Sequence, residues 1–144
     1  MSDLDDAKSR LYAKNLTLII VKNGEALFKT NSHRISGFLG AIEQLGVRLE
    51  GASAADRVAG KAVALLCVYG GISEVYAEVL SRKAQTVFEK HGIPCEWKML
   101  VDNILDLSRS GVCPFEKAAA EISDPEKAYT AFKALQQSLK LVSE

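Results

Sequence analysis

Asp56 and Cys113 are the residues of this sequence whose chemistry could support catalysis. Asp56 ends the run SAAD at 53–56, which matches the capping box at the N-terminus of a helix. A carboxylate there can cap the helix, or it can face a ligand at the carboxyl ends of neighbouring strands. Cys113 precedes Pro114 at a predicted helix start, an environment that favours a thiolate. Asp56 is therefore a candidate base or nucleophile, and Cys113 is a candidate nucleophile or redox sensor. The alternative for each is a structural role, as a cap or a packing residue.

Gly60 and Lys61 follow Asp56 closely, inside the same predicted helix. A glycine inside a helix costs up to about 1 kcal/mol relative to alanine, so close packing or a bound ligand must compensate. The pair also suggests the phosphate-binding loop G-x-x-x-x-G-K-S/T. That motif does not fit, because Ala55 stands where its first glycine belongs and Ala62 where its Mg²⁺-binding hydroxyl belongs. A nucleoside triphosphatase of this type is excluded.

Ser81 and Arg82 begin a later predicted helix, and Lys83 follows them. Basic residues in the first turn oppose the helix dipole, which favours an anion bound there; ordinary solvated charge is the alternative. His33-Arg34, just before another predicted helix, has the same two interpretations. The candidate ligand-binding set is Asp56, Gly60, Lys61, Ser81 and Arg82.

Hydrophobic periodicity predicts a hairpin followed by alternating helices and strands. The β-branched run at 16–21 and the segment at 25–30 flank Asn23-Gly24, a dipeptide typical of a type I′ turn. A strand, a helix and a strand with short links, as at 74–100, imply a parallel pair with a right-handed crossover. The other predicted elements are strands at 74–80 and 95–100 and helices at 3–14, 35–45, 53–69, 82–91, 115–122 and 126–142. The expected fold class is α/β, a three-layer α/β/α sandwich with a mixed sheet, in a single domain 1–144.

The composition excludes several classes of partner. Eighteen Lys and Arg balance eighteen Asp and Glu, so the chain lacks the electrostatic footprint of a nucleic-acid or membrane-surface protein. The three cysteines form no C-x-x-C pair, and the acidic N-terminus does not resemble a signal peptide. No apolar run approaches the roughly 20 residues of a membrane span. We expect a cytoplasmic protein that binds neither nucleic acid nor membrane, and that can form a homo-oligomer through helices or sheet edges.

Three segments carry a family resemblance: GASAADRVAGKAVALLCVYGG at 51–71, SEVYAEVLS at 73–81 and CPFEK at 113–117. With them the chain resembles the domain of unknown function 1893 family over about residues 16–117, leaving 118–144 as a C-terminal helical extension. The resemblance implies a cytidine-deaminase-like fold.

Zinc deaminases of that fold carry His-x-Glu or Cys-x-Glu at the start of the central helix, and Pro-Cys-x-x-Cys at the start of the next. Here the first position holds Asp56-Arg57-Val58 and the second holds LSRKA at 80–84. We therefore expect no metal, no cofactor and no zinc-dependent deamination.

The leading functional hypothesis is a protein that binds a small molecule on a deaminase-like scaffold, with a nucleotide or nucleotide sugar as the ligand suggested by fold analogy. Its site would combine Asp56, Gly60 and Lys61 with Ser81 and Arg82. One alternative is a metal-free enzyme that uses Asp56 or Cys113. A second is a non-catalytic interaction module.

Overall fold

A computed structural model describes residues 2–32, 35–105 and 111–143. The strands are β1 (Leu18–Lys22), β2 (Glu25–Thr30), β3 (Ser53–Ala59), β4 (Glu74–Ser81) and β5 (Cys95–Val101). The helices are α1 (Asp3–Ala13), α2 (Ser36–Leu45), α3 (Lys61–Gly70), α4 (Arg82–Lys90), α5 (Pro114–Ala119) and α6 (Pro125–Ser143), with a 3₁₀ turn at Gly46–Leu49. Among these residues, no helix is long and apolar enough to cross a bilayer.

The five strands form one mixed sheet in the order β2-β1-β3-β4-β5. β3, β4 and β5 are parallel, while β1 is antiparallel to both of its neighbours. Helix α1 packs on one face of the sheet, where Leu11, Ile19 and Tyr76 belong to the smaller core. The larger core contains Phe38 of α2 and Phe88 of α4 on the opposite face. Helices on both sides of a mixed sheet confirm the predicted α/β sandwich.

The hairpin between β1 and β2 is confirmed. Asn23 and Gly24 adopt φ angles of 53° and 77°, as a type I′ turn requires. The carboxylate of Asp3 fixes the turn, because it accepts hydrogen bonds from the Asn23 and Gly24 amides at 2.8 and 2.9 Å. The acidic start of α1 is thus anchored to the edge of the sheet. The parallel pair β4 and β5, joined by α4, is also confirmed.

The segment at 53–59 is the largest departure from the sequence prediction. It forms β3 in the middle of the sheet, and the helix predicted from residue 53 begins only at Lys61, with Gly60 as its N-cap. Alanine favours helix by intrinsic propensity, but a central strand with helices on both faces also requires small side chains. Ala54 and Ala55 are at most 1% exposed and belong to opposite cores. Tertiary packing here outweighs local propensity.

The capping box predicted at 53–56 is consequently wrong. The hydroxyl of Ser53 donates to Glu74 Oε1 on the neighbouring strand at 2.7 Å. Asp56 lies within the sheet, in register with Leu18 of β1 and Ala77 of β4. The start of the central helix, which was compared with the first deaminase motif, is therefore the segment at 60–62.

Candidate functional site

A cavity of about 180 Å³ opens where β3 ends and α3 begins. Asp56, Gly60 and Cys113, three of the residues singled out from the sequence, line it. Its other walls are mainly apolar and include Leu18, Phe38, Val63, Ile104 and Phe115. The cavity thus places a carboxyl and a thiol in an apolar setting.

Asp56 is the most perturbed carboxyl of the cavity. Burial raises its pKa to about 7, and hydrogen bonds from the Val58 and Arg57 amides lower that pKa only in part. The bond from the Val58 N–H to Asp56 Oδ1 measures 3.1 Å. No Lys, Arg or His of the described segments forms an ion pair with this carboxyl. Near neutral pH, Asp56 can therefore exist in both its protonated and its ionised form.

The neighbouring Arg57 serves the opposite face of the sheet. Its Nε donates to the Leu16 carbonyl at 2.9 Å, and its Nη1 contacts Glu78 Oε1 at 3.3 Å. Its guanidinium also stacks over the Tyr12 ring, 4.6 Å from the centroid. Because successive side chains of a strand point to opposite faces, Arg57 is not the counter-ion of Asp56.

Glu116 of α5 caps the N-terminus of α3. Its Oε2 accepts from the Lys61 amide at 3.0 Å and its Oε1 from the Ala62 amide at 3.1 Å. Burial raises the pKa of this carboxyl, while the two amide bonds and the charges of Lys83 and Lys61 lower it. The position at which α3 would hold a ligand's anionic group is therefore occupied by the protein's own carboxylate.

Gly60 is required by this cap. A Cβ at residue 60 would overlap the Glu116 carboxylate and lie 2.8 Å from Ile104 Cγ1. Gly60 is thus the helix N-cap, not an interior residue of the helix, and the group lying against it is an internal side chain. The sequence signal that could have identified the contact was the pairing of an unexplained glycine with the run CPFEK at 113–117.

The rest of the predicted ligand set lies elsewhere. Lys61 Nζ donates to the Ala120 carbonyl at 3.2 Å, outside the Asp56 cavity. Arg82 is exposed and pairs with Asp102 at 3.0 Å. Ser81 lines a second cavity, separated from the first by Ile104 and Glu116, which line both. The structure therefore divides the predicted site, and His33-Arg34 lies outside the described residues.

Ser81 is expected to act as a helix cap. Its buried hydroxyl accepts from the Ala84 amide at 3.0 Å at the start of α4. Ser81→Ala should lower the free energy of unfolding by about 1 kcal/mol, and urea titration would measure the loss. Ser2→Ala is the matched control, because Ser2 caps α1 at an exposed position and should cost less. A neutral Ser81→Ala variant would contradict the capping role.

The family described as a domain of unknown function (DUF1893) matches residues 6–136. This chain belongs to the DUF1893 family. The crystal structure of a DUF1893 family protein from Thermotoga maritima superimposes with a TM-score of 0.85 at 22% identity, covering 93% of this chain and 90% of that one. At this identity the likeness establishes the common fold alone. Among curated proteins, none matches the chain.

The DUF1893 match extends beyond the resemblance at 16–117 in both directions and reaches into α6. Phe132 of α6 is fully buried, and its ring contacts that of Phe115 edge-on, with centroids 6.1 Å apart. Helix α6 thus supports α5, which carries both Cys113 at its N-cap and Glu116. Within the described ranges, no three His, Cys, Asp or Glu side chains converge as metal ligands.

Proposed function

We propose that this DUF1893 protein binds a small organic molecule in the cavity beside Asp56. The observation that supports the proposal is a carboxyl with a pKa near 7 in an apolar cavity, without a cationic partner among the described residues. Such a group is costly to bury, and ligand sites are where such costs are commonly found. A ligand that supplies an N–H donor would satisfy it.

The size of the cavity limits the ligand. An engineered cavity of about 150 Å³ holds one benzene molecule, so a space of about 180 Å³ encloses roughly one substituted ring. Phe38, Val63 and Phe115 offer apolar contacts to its faces. A nucleobase or nucleoside combines such a ring with N–H donors at its edge. The choice of a nucleobase draws on the deaminase-like fold, which itself stays a prediction.

The phosphate of a nucleotide has less support than its base. The backbone amides at the N-terminus of α3 would be the natural site for a phosphate. Those of Lys61 and Ala62, however, already donate hydrogen bonds to Glu116. A phosphate at that position would also meet the negative charge of Glu116. We therefore propose that the base enters the cavity and that any sugar or phosphate lies at its mouth.

The binding proposal predicts ligand stabilisation that depends on Asp56. Calorimetry and thermal shift with nucleobases, nucleosides, nucleotides and nucleotide sugars at pH 8 should identify a stabilising base or nucleoside. Asp56→Asn keeps the shape of the side chain but removes its charge, and it should weaken binding by about tenfold or more, as expected for loss of a charge-assisted hydrogen bond. Asp102→Asn, at an exposed carboxyl outside the cavity, is the matched control.

Two results would contradict the binding proposal. One is the absence of stabilisation by every member of the panel. The other is equal stabilisation of the wild type and Asp56→Asn, since a ligand that ignores the carboxyl does not occupy this cavity.

A metal-free enzyme is the second candidate. A carboxyl with a pKa of about 7 is suited to general acid–base catalysis at neutral pH, and Cys113 lines the same cavity. This candidate predicts turnover of the bound compound that depends on the ionisation of Asp56. If Cys113 is the nucleophile, mass spectrometry should detect an adduct that Cys113→Ser abolishes. Binding without turnover would favour the first candidate.

A further inference from the structure

The outer edge of β5 has its own hydrogen-bonding potential. Among the described strands, β5 is the last of the sheet and pairs with β4. The Val75 amide of β4 donates to the Pro94 carbonyl at 3.0 Å. Because backbone groups alternate in direction along a strand, those of residues 96, 98 and 100 also face β4. The N–H and C=O groups of Cys95, Trp97 and Met99 therefore point away from the sheet.

Those outward groups have no backbone partner within the described part of the chain. Two large apolar side chains beside them are exposed, with Trp97 40% and Met99 58% accessible. A seven-residue strand with an open edge and large apolar side chains is a template for pairing with another chain. Natural sheets usually shield such an edge, and within β5 itself the charged side chains are those of Glu96 and Lys98.

We propose that two copies of this chain associate through antiparallel pairing of their β5 strands, which joins two five-stranded sheets into one. The occupant is a second copy because the sequence of β5 is complementary to itself. When Trp97 lies opposite the partner's Trp97, Glu96 faces the partner's Lys98 and Lys98 faces the partner's Glu96.

Charge selects this register over its neighbours. In a dimer of this kind, the outward N–H and C=O groups of one β5 strand must pair with the outward groups of the other. This condition is met when the two-fold axis passes through Glu96, Trp97 or Lys98, and each of these positions gives a different register. An axis at Lys98 places the two Lys98 side chains together, and an axis at Glu96 places the two Glu96 side chains together. Like charges directly opposite destabilise a sheet, whereas opposite charges stabilise it. The axis at Trp97 is the one of the three that pairs opposite charges.

Hydrogen bonding permits this register but does not select it, because an axis at Lys98 would align the whole strand Cys95–Val101. Trp97 exchanges two N–H···O bonds with the partner's Trp97, and Cys95 does so with the partner's Met99, giving on the order of six new bonds in total. Glu96 and the partner's Lys98 then form the non-hydrogen-bonded pairs, in which side chains lie closer together. Glu96 Oε1 also lies 3.7 Å from Lys8 Nζ of α1, so its side chain is already held on the face that Lys98 shares.

The test is a charge exchange read by oligomeric mass. Light scattering after size exclusion, with sedimentation velocity, should find a wild-type species of about twice 15.6 kDa. Glu96→Lys or Lys98→Glu alone should raise the dimer dissociation constant about tenfold or more, because each converts two attractive pairs into repulsive ones. The double exchange should restore it to within about threefold of wild type. Lys29→Glu, on the opposite edge strand β2, is the control and should have no effect.

A cross-link tests the register directly. With Cys95 and Cys113 changed to Ser, Trp97→Cys should form a disulfide between two chains under mild oxidation. The Cα atoms of a hydrogen-bonded pair lie about 5.5 Å apart, within disulfide range. Cys67 is fully buried and does not compete, and Lys29→Cys in the same background should not cross-link.

Three results would overturn the dimer. The first is a wild-type mass that stays at 15.6 kDa up to about 1 mM protein, which excludes even weak association. The second is a dimer whose dissociation constant ignores the single charge reversals or is not restored by the double exchange. The third is a dimer in which Trp97→Cys cross-links no faster than Lys29→Cys.

Discussion

Replacing Asp56 with asparagine is expected to stabilise the protein at pH 8 by about 2 kcal/mol and to change its stability little near pH 4. In the folded protein, burial raises the pKa of Asp56 to about 7. In the unfolded chain an aspartate has a pKa of about 3.9. Asparagine has the same shape and carries no charge at either pH, so the substitution removes the cost of burying an ionised group.

The sign of the pH dependence follows from proton binding. Between about pH 4 and pH 7 the folded state keeps the Asp56 proton, whereas the unfolded state has lost it. The contribution of Asp56 to stability therefore falls as the pH rises through this window and is constant above it. The full difference in pKa corresponds to about 4 kcal/mol, and we expect roughly half because the carboxyl lines an open cavity.

Urea unfolding of the wild type and Asp56→Asn from pH 4 to pH 8.5 measures the effect. The difference between the two stability curves should grow through the window and then level off. The pKa of Glu116 is also raised, so a smaller slope of the same sign should remain in the variant. Asp102→Asn, at an exposed carboxylate, should differ from wild type by less than about 0.5 kcal/mol throughout. Parallel curves for wild type and Asp56→Asn would show that Asp56 is not perturbed.

Combined with the binding proposal, this result has a clear meaning. A substitution that stabilises the folded protein but weakens ligand binding identifies a residue that serves function at the expense of stability. If Asp56→Asn stabilised the protein without changing the affinity for any ligand, the binding proposal would not explain why a destabilising carboxyl is buried here.

Local signals account for the parts of the fold that the sequence predicted. The hairpin carries its own turn dipeptide, Asn23-Gly24. Helix α3 ends at Gly70 and is capped by Gly71 with a φ of 77°, as the double glycine indicates. Pro114 and Pro125 occur at the first positions of α5 and α6, as predicted. In each case the residue type itself indicates the local backbone, although the hairpin turn is also held by Asp3.

Long-range packing accounts for what was missed. The segment at 53–59 has helical propensity. Its local sequence does not indicate that α1 packs on one of its faces and the larger core on the other. Asp56 was placed at a helix start but lies on a strand that leads into the cavity. Glu116 contacts α3 across 54 residues of sequence, a distance that no periodicity can bridge. Ser81 and Arg82 were singled out at a predicted helix start, and Lys61 was singled out inside the predicted central helix. The three side chains bond instead to the Ala84 amide, to Asp102 and to the Ala120 carbonyl, respectively.

Gly60→Ala is expected to lower the free energy of unfolding by about 2 to 3 kcal/mol. A Cβ at this position would displace the Glu116 carboxylate, because it overlaps it and also crowds Ile104. The amides of Lys61 and Ala62 would then lose their acceptor in a partly buried setting. Leaving such donors unsatisfied is what sets the size of the loss. Gly40→Ala in α2 is the control, since its Cβ would meet only Phe28 at an ordinary 3.8 Å, and it should stabilise by about 0.5–1 kcal/mol.

Glu116→Ala completes a double-mutant cycle that separates the cap from simple crowding. Alone it should cost about as much as Gly60→Ala, because both remove the same two hydrogen bonds. The double variant should therefore lose only about 1 kcal/mol more than either single variant, a strong departure from additivity. Additive losses would mean that Gly60 is kept for another reason, such as the contact with Ile104. Because Gly60 and Glu116 also line the Asp56 cavity, the same variants should lower the affinity for any nucleobase, nucleoside or nucleotide that is found to bind.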